Sequence, residues 1–83
     1  MNIYVGNLNF KVSESDLEGA FAEYGAVGEV KIITDKYSGR SKGFGFITME
    51  NDDEANKAID ELNGTSLQSR EMVVNEAKPK KQY

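Results

Sequence analysis

Three aromatic side chains and a cation set the chemistry of this chain. In the stretch Lys42-Gly43-Phe44-Gly45-Phe46-Ile47-Thr48-Met49, a period of two puts Lys42, Phe44, Phe46 and Thr48 on one face. Gly43, Gly45, Ile47 and Met49 fall on the other. The second set is small, then apolar, as a strand packed on helices requires. The first set places two phenyl rings and a lysine on the open face. Phenyl rings are costly there unless something flat stacks on them. A nucleobase is flat and carries a phosphate for the cation, and each stacked base is worth about 1–3 kcal/mol. Near the N-terminus, Asn2 to Leu8 alternates in the same way, with Ile3 and Val5 inward and Tyr4 outward.

The octapeptide resembles the RNP1 signature of the RNA recognition motif at seven of its eight positions, taking Ile47 for valine. Met49 stands where an aromatic is usual and, by alternation, faces the core. Ile3-Tyr4-Val5-Gly6-Asn7-Leu8 resembles the second signature, RNP2. The resemblance covers residues 2 to 77 and is close to small single-motif RNA-binding proteins of bacteria. It implies an α+β, ferredoxin-like βαββαβ fold: a four-stranded antiparallel sheet in the order 4-1-3-2, with two helices on one face. It also implies that the two signatures lie side by side, so that Tyr4, Phe44 and Phe46 form one platform. Lys42 is then expected to pair with a phosphate. Asn75 and Ala77, at the exit of the last strand, are expected to meet a base edge. No cofactor is implied.

The elements that must position these residues are legible in order. Residues 13 to 24 read as a helix. Ser13 is its N-cap, Asp16 its capping-box partner, and Leu17, Ala20, Phe21 and Tyr24 form one apolar stripe. Gly25 is expected in the left-handed C-terminal position. Gly19 costs helix stability unless it permits close packing. Glu29 to Thr34 is a strand with Lys31 outward. Asp35 to Ser41 is a loop turning at Ser38-Gly39, from which Lys36 and Arg40 overhang the sheet within reach of phosphate. A second helix spans residues 51 to 62, capped by Asn51. Thr65 to Gln68 reads as a turn, and Arg70 to Asn75 as the last strand. The domain is expected over residues 1 to 77, with a short basic tail, 78 to 83, expected to lack order.

Composition excludes several functions. The 83-residue chain has neither cysteine nor histidine, which removes thiolate metal sites, cysteine nucleophiles and the commonest general base. Carboxylates do not cluster at metal-ligand spacing, so an enzyme is not expected. No membrane-length apolar run or secretory leader is present, and a soluble, cytoplasmic protein is predicted. The net charge is −4, against the trend for nucleic-acid binders. Distribution resolves this: the acids gather on the two helices, whereas Lys31, Lys36, Arg40 and Lys42 surround one hairpin. The expected partner is single-stranded RNA, with single-stranded DNA as a variant that stacking alone does not separate. The acidic helices keep a protein partner as the alternative.

Overall fold

The computed structural model describes residues 1–77, so the basic tail lies outside the described residues. The elements run β1 (Asn2–Gly6), α1 (Glu14–Ala22), β2 (Glu29–Thr34), β3 (Ser41–Thr48), α2 (Asp52–Leu62), β4 (Ser66–Leu67), β5 (Arg70–Glu71) and β6 (Val73–Glu76). Four strands form one antiparallel sheet in the order β2-β3-β1-β6. This is the expected order, with β6 as the fourth strand.

Alternation along the strands decides which face is covered. Ile3, Val5, Ile47 and Val74 are fully buried and meet Leu17 and Phe21 of α1 and Ala55, Ala58 and Leu62 of α2 in a single core. Met49 joins them, so the position that departs from the signature is spent on packing. Each of the large apolar side chains contributes about 1.5–3 kcal/mol by leaving water. Both helices therefore lie on one sheet face and leave the other open.

The helix starts follow the expected capping. Asp16 N–H donates to Ser13 Oγ at 3.1 Å and Ser13 N–H to Asp16 Oδ2 at 3.0 Å. Hydrogen bonds to the carboxylate, from the Ser13 backbone N–H first and from the Ser13 and Gln68 side chains, hold Asp16 below its ordinary pKa. Asn51 Oδ1 accepts from Glu54 N–H at 2.9 Å.

One glycine at the end of α1 departs from the sequence expectation, and another settles an open alternative. Gly25 is not left-handed; α1 closes with a tight turn in which Tyr24 N–H donates to Phe21 C=O at 3.0 Å. Gly25 is instead a site of close approach, because a Cβ there would strike the Glu54 side chain. Gly19 has open space where its Cβ would stand, so no packing reason offsets its helix cost. Gly19→Ala is expected to raise stability by about 0.5–1 kcal/mol, and urea unfolding checks it.

The last strand is shorter than the alternating pattern implies. Arg70 and Glu71 do not join the main sheet. They pair with Leu67 and Ser66 in a two-stranded hairpin, and the main-sheet pairing begins only at Val73. The break falls at Met72, whose N–H and C=O turn to Thr65 and Gly64 at 2.8 Å each. Continued alternation would turn Arg70 inward with Met72 and Val74, whereas both Arg70 and Glu71 are exposed.

Candidate nucleic-acid interface

The register lines the open face up in rows. Lys31 of β2 is paired with Phe46 of β3, Phe46 with Tyr4 of β1, and Tyr4 with Asn75 of β6. Four of the expected site residues thus stand in one line across the sheet. With neighbouring strands about 4.8 Å apart, the line is roughly 14 Å long. Phe44 is two residues before Phe46 on the same face. It closes a triangle of rings: centroids are 6.1 Å apart for Tyr4–Phe44, 5.8 Å for Tyr4–Phe46 and 6.3 Å for Phe44–Phe46.

The rings are not equivalent. Tyr4 and Phe44 differ in plane by 31°, whereas Phe46 stands at 63° to Tyr4 and 88° to Phe44. Gly6 explains the attitude of Tyr4. A Cβ at Gly6 would meet the Tyr4 ring, with Cε2 and Cζ at 2.8 Å. The ring therefore reclines along β1 over the bare glycine, with its hydroxyl end nearest that position. Two tilted faces and one upright edge result. Phe46 is 39% exposed, and Tyr4 and Phe44 are half-buried. The face is shallow, and the described residues enclose no pocket.

Each glycine of the RNP1-like stretch has its own reason. β3 carries a bulge against β2, the register shifting between Ile32 and Thr34. Gly43 sits in that bulge at φ +85°, a conformation strained for side-chain-bearing residues. Its C=O accepts from Leu8 N–H at 2.8 Å, tying the end of the RNP2-like stretch to the RNP1-like one. Gly45 is needed for close approach: a Cβ there would meet the Lys31 carbonyl oxygen and stand 3.0 Å from Ile32 Cα.

The remaining expected residues are distributed unevenly. Lys31 and Lys42 are exposed. Lys42 lies where its charge reaches Asp35, whose carboxyl is held below its ordinary pKa by the Ser38 and Tyr37 backbone N–H groups, with Lys42 adding a smaller effect. Arg40 is exposed in the loop between β2 and β3, away from the aromatic row in sequence and pairing. That loop turns at Gly39, φ +74°. Ala77 N–H donates to Asn2 C=O at 2.8 Å, so the exit of β6 stays against β1. Sequence reasoning passed over Gly6, and also Asn2, whose Oδ1 accepts from Thr48 Oγ1 on the open face at 3.2 Å. The alternation with Tyr4 was the signal available for both.

Comparison with known proteins agrees with this architecture. The family model for the RNA recognition motif matches residues 3–73. A proposed RNA-binding protein, RbpA of Synechocystis, is 50% identical over 80 residues, spanning 96% of this chain and 79% of its own. The crystal structure of an RNA-binding protein, PG1, superposes with a TM-score of 0.93 at 49% identity and 99% coverage of both chains. A Sex-lethal protein solved with RNA gives a TM-score of 0.87 at 32% identity, over 92% of this chain and 47% of its own. A matched family model, a superposition at 49% identity and two signatures on adjacent central strands lead to one assignment: the chain belongs to the RNA recognition motif family.

Proposed function

We propose that this protein binds single-stranded RNA across the open face of its sheet. The observation that carries the reading is the ring triangle of Tyr4, Phe44 and Phe46, turned away from the core. Tyr4 and Phe44 each stack one base. Phe46, upright between them, wedges beside a sugar or between two nucleotides. Asn75, at the end of the row, and Ala77, at the strand exit, offer polar groups to a base edge. Lys31, Lys42 and Arg40 meet phosphates, with Lys42 partly drawn to Asp35. The names of the relatives in Synechocystis and of PG1 support RNA as the ligand. So does the RNA carried by the Sex-lethal structure.

Magnitudes make the binding weak. Two or three stacks supply about 2–9 kcal/mol, against an association cost of about 4 kcal/mol or more. The described residues carry seven bases against fourteen acids, so phosphate attraction adds little at physiological salt. Micromolar or weaker affinity follows. A chain that holds RNA weakly in single-stranded form suits a post-transcriptional regulator or an RNA-chaperone-like accessory.

The test is an amide NMR titration with a short degenerate single-stranded RNA at low salt. Shifts are expected at residues 4, 31, 42 to 46 and 75 to 77. Shifts confined to the helices would refute the reading. Repeating the titration across salt concentrations gives a log–log slope expected near −2, from about three phosphates at about −0.7 each. A slope near zero would remove the phosphate roles of Lys31, Arg40 and Lys42.

A further inference from the structure

We propose that Arg70 is an additional phosphate-binding residue of the RNA face, held at the Asn7 end of β1 by a brace built from the β4–β5 hairpin. The proposal rests on the sheet-face reading above and extends it to a residue outside both signatures. Arg70 belongs to the hairpin, not to the main sheet, so strand alternation gives it no position on the platform. Contacts give it one. Its Nη2 donates to Asn7 Oδ1 at 2.7 Å, and Asn7 Nδ2 donates to the Glu71 C=O at 2.6 Å. Asn7 follows Gly6 directly, and the hydroxyl end of the Tyr4 ring lies over Gly6. Val73, 41% exposed, is paired with Gly6 on the neighbouring strand. The guanidinium is thereby fixed on the residue that directly follows the glycine the Tyr4 ring covers.

The brace holds an unfavourable backbone. Gln68 and Ser69 turn the hairpin at φ 50° and 72°, and Asn7 is at φ 56°. Three left-handed residues, none of them glycine, persist only where surrounding bonds over-determine them. Those bonds are present: Asn9 Nδ2 donates to the Gln68 C=O at 2.9 Å, and Gln68 Nε2 donates to Asp16 Oδ2 at 2.7 Å. What the arrangement positions is an exposed arginine. Among the described residues the ion pair formed is Met1 with Asp52; Arg70 has no carboxylate within ion-pair distance. One of its five donors is engaged with Asn7, which leaves a forked, charged edge suited to phosphate oxygens. On a chain with a net charge of −4, a fixed cation beside the platform is a large part of the local attraction for a polyanion.

The test compares wild type, Arg70→Gln and Arg70→Lys, titrated with the same degenerate single-stranded RNA over a series of salt concentrations. Phe44→Ala/Phe46→Ala is the reference for the sheet itself. Arg70 adds a fourth phosphate, so the wild-type slope steepens from about −2 to about −2.8. Arg70→Gln is expected to weaken binding about two- to fivefold at low salt and to return the slope to about −2. Arg70→Lys, which keeps the charge and loses the fork, is expected to restore the slope. Weaker binding with an unchanged slope in Arg70→Gln would make Arg70 a structural brace only and overturn the proposal. Unchanged affinity and slope, beside lost binding in the double phenylalanine variant, would overturn it alone. Binding retained in the double phenylalanine variant would overturn the sheet reading and this proposal together.

Discussion

Replacing Phe44 and Phe46 together by alanine is expected to abolish measurable RNA binding while the domain stays folded. Both rings point away from the core, and neither belongs to the buried cluster of Ile3, Val5, Leu17, Phe21 and Ile47. What the fold loses is their ring contacts with Tyr4 and each other, worth about 0.5–1.5 kcal/mol per pair. What binding loses is one base stack and one wedge, together about 2–6 kcal/mol. That is roughly thirtyfold or more in affinity, enough to carry a micromolar interaction out of range. The pair of measurements is an RNA titration by calorimetry or NMR and a thermal melt. Unchanged affinity in the double variant would sink base stacking as the mode of binding. A collapsed melting temperature would mean that the rings hold up the fold after all.

The second large effect is on stability. Gly45→Val is expected to cost about 2–3 kcal/mol, a fall of about 10–20 °C in melting temperature for a domain of this size. Valine favours strands, so propensity alone predicts no loss. The loss comes from the close approach of β2: the added Cβ would stand against the Lys31 carbonyl oxygen and the Ile32 Cα. Gly45 is paired with Val5 on one side and Ile32 on the other, so neither neighbour can move without disturbing the centre of the sheet. An unaltered melting temperature would show that β2 yields. Gly19→Ala is the counterpart, expected to stabilise because open space surrounds that position.

The two signatures and the alternation they carry made the site readable in advance. Tyr4, Phe44 and Phe46 on one face and Ile3, Val5, Ile47 and Met49 on the other needed only a period of two. The helices were readable from Ser13 and Asn51 and from their apolar stripes. A glycine's role stays hidden from local pattern where it depends on a distant segment. Gly25 looks like a helix stop, yet the Glu54 side chain of α2 is what demands it. Gly43 looks like a small inward residue, and its φ of +85° arises from a bulge that exists only against β2. The last strand reads too long because no glycine or proline marks a break between Arg70 and Met72, while Arg70 and Glu71 bond to Leu67 and Ser66 and are both exposed.

The sequence by itself determined which side chains leave the core, because facing is set by the covalent pleat of each strand. It determined their chemistry too: rings and cations outward, with no histidine or cysteine to do anything else. Only the tertiary structure decided how those side chains meet. Register between strands far apart in the chain is fixed by the packing of both helices against one sheet face. That packing draws Lys31, Phe46, Tyr4 and Asn75 into a single line. The tilt of Tyr4 over Gly6 and the anchoring of Arg70 on Asn7 likewise depend on atoms brought together by folding, which no local pattern in the chain encodes.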